Sequence, residues 1–136
     1  MDDRLVKFFA AVRHTFQYLY DKGFVLADEG TEVENFYGSI SYMGKNVCIV
    51  FSYDLREEVT DCYVGKVHKG KINRYRETGG YWASLFSYLV KKQGFRGKLP
   101  IDRDGSRDEF PELLAFRKLL DDKGIKLLAD SEDAFH

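Results

Sequence analysis

Asp28, Glu29, Glu32 and Glu34 place four carboxylates within seven residues with no Lys or Arg among them, and Asp54, Glu57 and Glu58 form a second acidic group around a turn signal. Carboxylates at this density could share a proton for general acid–base work, or form a surface that attracts a cationic partner over long range. Pairs such as Glu57–Glu58 and Asp121–Asp122 neighbour lysines or loops and read as solvated surface. The acidic surface is therefore the use to pursue.

Other chemistry is harder to assemble. His14 lies on the first helical segment beside Arg13, His68 ends a strand beside Lys69, and His136 is terminal; none shares an element with a carboxylate or thiol at metal-ligand spacing. Cys62 and His68 have the same strand parity, yet six residues of strand separate them by about 20 Å, too far for a nucleophile and its base. The serines lack a Gly-x-Ser-x-Gly context, and Gly79-Gly80 lacks the lysine and spacing of a phosphate loop. The expectation is a binding protein, not an enzyme, with no metal and no cofactor.

The elements that would carry these residues follow from periodicity. Asp2 to Lys22 has helical spacing, with Leu5, Phe8, Phe9, Val12, Phe16, Leu19 and Tyr20 on one stripe and Gly23 as the stop. A short extended piece, Phe24 to Ala27, leads into Asp28 to Glu34, which reads as a loop around Gly30. Strands follow at about Asn35 to Met43, then from Val47 into Tyr53, about Glu58 to His68, and Lys71 to Arg76, joined by tight turns. With Gly44-Lys45 as a type II′ turn, Tyr42 sits beside Val47, Ile40 beside Ile49 and Gly38 beside Phe51. With Asp54 to Arg56 as a three-residue loop, Cys48 faces Cys62.

That register gathers Phe36, Ile40, Tyr42, Val47, Ile49, Phe51, Tyr53, Val59, Tyr63 and Val67 on one face. Ser39, Ser41, Cys48, Val50, Ser52, Thr60, Cys62 and Val64 fall on the other, which is too polar for a deep core and too plain for a charged surface. A strained Cys48–Cys62 disulfide is geometrically conceivable, but two free thiols filling a half-covered face is the plainer reading. Beyond Gly79-Gly80, a helix spans Tyr81 to Gln93 with Trp82, Leu85, Phe86, Leu89 and Val90 as its stripe. A polar loop from Phe95 to Arg107 precedes a third helix, Asp108 to Lys123, with Pro111 in its first turn. Ile125 to Ala129 reads as a strand or strap, and residues 130–136 as a frayed tail. The expected fold is α+β: an N-terminal helix, a four-stranded antiparallel meander and two C-terminal helices in one domain spanning residues 1–136.

A chain of 136 residues that is 44% hydrophobic and 32% charged, with two prolines, has the composition of a folded soluble domain able to bury roughly two-thirds of its surface. No apolar run approaches the roughly 18 residues of a membrane span, and Met1-Asp2-Asp3-Arg4 runs into a helix without a signal-peptide pattern. No membrane contact is expected, and the expected location is cytoplasmic. The net charge of −1 conceals an asymmetry: Lys66 to Arg103 holds ten Lys or Arg against Glu77 and Asp102. With Tyr75, Tyr81 and Trp82 interleaved, this segment makes a basic nucleic-acid-associated module the second reading. Trp82, on the helical stripe, is read as core.

One resemblance adds to these readings. An N-terminal amphipathic helix, Gly23-Phe24, and a meander whose second strand runs Val47-Cys48-Ile49-Val50-Phe51-Ser52-Tyr53-Asp54-Leu55-Arg56 resemble the small immunity proteins of bacterial polymorphic toxin and contact-dependent growth inhibition systems. The resemblance covers about the first ninety residues and carries over no residue roles. It implies a protein that binds one cognate toxin domain, often a nuclease, and neutralises it by occlusion. Asp28, Glu29, Glu32, Glu34, Asp54, Glu57 and Glu58 are the candidate contacts, since a nuclease presents a cationic, phosphate-seeking cleft.

Overall fold

The computed structural model describes residues 2–32, 36–101 and 109–136. Helix α1 (Asp3–Thr15) begins where the Asp2 side chain accepts the backbone N–H of Arg4 at 2.7 Å, and it buries Leu5, Phe8, Phe9 and Val12 along one face. The helix expected to reach Lys22 ends at Thr15. The chain tightens there into a 3₁₀ turn, Gln17–Lys22. That winding suits the packing: Phe16 and Leu19, three residues apart, are both fully buried, and the Phe16 ring stacks on Phe51 at 4.1 Å.

The sheet is antiparallel and six-stranded, wider than the expected four. Its strands are β1 (Val25–Glu32), β2 (Tyr37–Met43), β3 (Val47–Asp54), β4 (Val59–His68), β5 (Lys71–Asn73) and β6 (Trp82–Ser84). The order is β1-β2-β3-β4-β5, and β6 pairs with β4 beside β5, so these two short strands share one edge of β4. The segment read as an acidic loop is therefore strand as far as Glu32. An edge position allows this, because carboxylates on an outer strand stay in water while its backbone pairs inward. Glu34 lies outside the described residues.

Both expected hairpin registers shift. Across the β2–β3 turn Tyr42 faces Ile49, Ile40 faces Phe51 and Gly38 faces Tyr53, two residues from the expected pairing. A shift of two keeps each side chain on its face, so Ile40, Tyr42, Ile49, Phe51 and Tyr53 form the buried layer as read. The β3–β4 loop instead spans four residues, Leu55–Glu58, and the register moves by an odd number. Cys62 and Val64 thereby join Phe51 on the core face, while Val59 and Tyr63 turn to the opposite side. Cys48 faces Gly65 and Cys62 faces Phe51, so the two thiols lie on opposite faces and are free.

The helices cover only the core face. α1 packs on β2 and β3, while α2 (Leu85–Gln93) and α3 (Pro111–Lys123) pack on β4. α2 begins at Leu85 because Trp82–Ser84, expected as its first turn, pairs with β4 and Ser84 caps the helix, accepting the Ser87 N–H at 3.1 Å. Leu85 and Leu89 are buried as read; Phe86 and Val90 are exposed, and Tyr88 takes the inward place. The expected strand or strap after Lys123 is a short helix, α4 (Ile125–Leu128). The tail beyond it is anchored: Ala134 and Phe135 are buried, and the Tyr88 hydroxyl donates to the Ala134 carbonyl at 2.5 Å. Among the described residues no helix is long and apolar enough to cross a membrane.

Candidate functional site

The sheet face turned away from the helices has a buried layer of Cys48, Val50, Ser52 and Val67, with Asp28 exposed and Tyr63 and Trp82 half-buried at its borders. A bulge at Ala27 builds its β1 border. Leu26 pairs with Tyr42 and Asp28 with Ser41, so the extra residue puts Asp28 on the open face and Glu29 on the helix side. Glu29 is there ion-paired with Arg13 of α1. Without the bulge the two acids would exchange faces.

On the opposite border, Trp82 of β6 lies across from Gly65 of β4. The indole stacks on Tyr63, with centroids 5.4 Å apart and planes 10° from parallel, and the Arg74 guanidinium carbon sits 4.1 Å from its centroid. Gly65 makes room for this: a Cβ there would fall 2.8 Å from Trp82 Cε3 and 3.0 Å from Cys48 Sγ. Between the borders lies a cavity of about 330 Å³ walled by Asp28, Ser39, Ser41, Tyr63, Arg74 and Trp82. Burial raises the pKa of the Asp61 carboxyl, and a hydrogen bond with the Tyr63 hydroxyl offsets part of that rise.

The topology also decides where the two acidic groups go. Because the strands run as a meander, the β1–β2 and β3–β4 connections emerge at the same end of the sheet. Glu32 is in register with Tyr37, and Tyr37 with Asp54, so one position from each group is aligned across three strands although the two are 22 residues apart in sequence. Several members are already engaged. The Asp54 carboxylate accepts the backbone N–H groups of Arg56 at 2.8 Å and Glu57 at 3.2 Å, which shapes the turn. Glu58, at a positive φ of 53°, is paired with Arg4 at 2.7 Å. Glu57 and Asp28 are exposed.

Arg74, Tyr63 and Trp82 are not legible as a unit in the sequence. The signal was present in the mixture of rings and cations after Lys66, but Trp82 also fits a helical stripe, and strand pairing alone brings it onto Tyr63. Among the described residues, no group of three or more His, Cys, Asp or Glu is placed to hold a metal ion. No protein-family model matches this chain, and no curated protein or solved structure matches it.

Proposed function

We propose that this protein is an immunity-type inhibitor that binds a cognate bacterial toxin domain, a nuclease being the expected activity, and neutralises it by occlusion in the cytoplasm. The observation that carries the reading is that Glu32, Tyr37 and Asp54 fall in register at one end of a sheet whose other face packs against the helices. Exposed carboxylates at Asp28 and Glu57 would steer a cationic cleft toward this side of the sheet. Trp82, Tyr63 and Arg74 at the far border are the residue types that anchor protein interfaces. The sequence resemblance to immunity proteins supports the same role.

The test is a titration. This reading requires a toxic C-terminal domain encoded immediately upstream; such a domain is purified with the protein, and its activity is followed as the protein is added. Full loss at one equivalent, in a complex that survives gel filtration and buries at least about 1,000 Å² in total, is the expected result. Reversing charge at Asp28 and Glu57 slows association and flattens its salt dependence, and Trp82→Ala speeds dissociation. Silencing by sub-stoichiometric amounts would rule out occlusion. Unchanged rates in all these variants would remove the open face as the contact.

A basic nucleic-acid-associated module is the second reading, favoured by Arg74 beside two aromatic rings on an open sheet. Base stacking needs a free ring surface. Here Tyr63 and Arg74 already engage the indole, which favours a protein partner. Binding to a single strand at physiological salt, weakened by Lys69→Gln with Lys71→Gln, would reverse this order.

A further inference from the structure

A second concavity, away from the open face, gathers positive charge from two separate segments. The 3₁₀ turn Arg76–Thr78 contributes Arg76, and the last turn of α2 contributes Lys91 and Lys92. All three line a cavity of about 380 Å³ whose floor is Tyr81 and Phe135, two rings stacked 4.8 Å apart at 20°. Lys92 Nζ lies 5.6 Å from the Tyr81 centroid. Among the described residues no carboxylate pairs with these three cations, and Asp133, on the nearby tail, is committed to Lys126 at 3.2 Å.

We propose that this cavity is a binding site for a small phosphate-bearing molecule, its phosphate held by Arg76, Lys91 and Lys92 and its apolar part resting on Tyr81 and Phe135. Three cations converging without a counter-charge repel one another, and a multiply charged anion removes that cost while gaining charge-assisted hydrogen bonds. The competing account is that lysines near a helix C-terminus answer the partial negative charge of its carbonyls. It covers Lys91 and Lys92 but not Arg76, which belongs to a separate segment. Burial raises the pKa of the Tyr81 hydroxyl and the Arg76 charge offsets part of the rise, so the arginine acts on the ring that forms the floor. A half-open concavity of this volume matches a small ligand, at the lower end of the usual range of roughly 300–1,000 Å³. An extended polyanion would instead follow a continuous groove.

The test is a ¹⁵N–¹H NMR titration of the whole chain with inorganic pyrophosphate and, separately, adenosine monophosphate, at roughly physiological salt. Saturable shifts at Arg76, Gly79 to Tyr81 and Lys91–Lys92 are expected. Arg76→Gln, and Lys91→Gln with Lys92→Gln, should each weaken binding about tenfold or more, while Lys69→Gln with Lys71→Gln, on the β4–β5 turn, should leave it unchanged. The replaced side chains are exposed, so the variants keep dispersed spectra. No saturation by ~10 mM of either probe, or equal weakening by the β4–β5 variant, overturns the site. Vesicles containing phosphatidic acid, and a short single-stranded oligonucleotide, are added as further arms. Binding to either of these without binding to the small probes would also overturn it.

Discussion

Asp130 Oδ1 accepts the backbone N–H of Val47 at 2.8 Å across 83 residues of sequence. The same carboxylate takes the N–H groups of Asn46 at 2.8 Å and Lys45 at 2.6 Å, and the Asn46 side-chain amide donates to the Asp130 carbonyl at 2.9 Å. The segment after α4 thus clasps the β2–β3 turn. Gly44 permits the approach, since a Cβ there would lie 2.6 Å from the carboxylate. Asp130→Ala should destabilise by about 2–4 kcal/mol, and Asp130→Asn, which keeps one acceptor and tolerates the positive φ, by about half as much. Urea melts measure both. A loss under about 0.5 kcal/mol for the alanine variant would mean that the turn forms without its clasp.

Phe51 is fully buried beneath Phe16, while Ser41 is on the opposite face of the sheet. Phe51→Ala should cost about 3–5 kcal/mol through lost burial and the cavity left behind, whereas Ser41→Ala should stay within about 0.5 kcal/mol. Equal small losses in denaturant melts would show that the buried layer is not where the helices pack.

Gly65→Ala tests the close packing at the aromatic border. The added methyl meets Trp82 Cε3, Cys48 Sγ and, at 3.2 Å, the Tyr81 carbonyl oxygen, which is backbone and yields little. A destabilisation of about 1–3 kcal/mol is expected, with a shifted emission from Trp82, the chain's single tryptophan. An unaltered spectrum would show that the indole does not rest on Gly65.

Alkaline pH should unfold the protein through its buried acids. Burial pushes the Cys48 thiol from an ordinary 9.0 up to about 12, and the Tyr42 hydroxyl from 10.0 up to about 12. Both are held neutral by the fold, so their contribution is fully present below about pH 9 and is lost as pH rises towards about 12. Stability measured at about pH 8 and about pH 11 should fall between the two, and Cys48→Ala, weaker at the outset, should lose less over that interval. An equal loss in both proteins would assign the alkaline transition to other groups.

The alternation through Ile40 and Tyr42, and through Ile49, Phe51 and Tyr53, told which face of the central strands is buried, and the spacing of Leu5, Phe8, Phe9 and Val12 told the same for α1. These patterns are local: one strand or one helix turn displays its inward side whatever lies beyond it. The acidic composition of Asp28 to Glu34 and of Asp54 to Glu58 was equally open to view.

Pairing was not. Whether Asp28 to Glu32 is loop or strand depends on β2 offering its edge, and the facing of Tyr63 depends on one extra residue in the β3–β4 loop. Trp82 fits a helix by period and a strand by partner; the free edge of β4 made the choice. The meeting of Glu32, Tyr37 and Asp54, the Trp82–Tyr63 stack and the Asp130 clasp exist only after distant backbones have paired. Side-chain period is a property of neighbours in sequence, while register is set by hydrogen bonds and packing between segments far apart in it, and the candidate site is made of register.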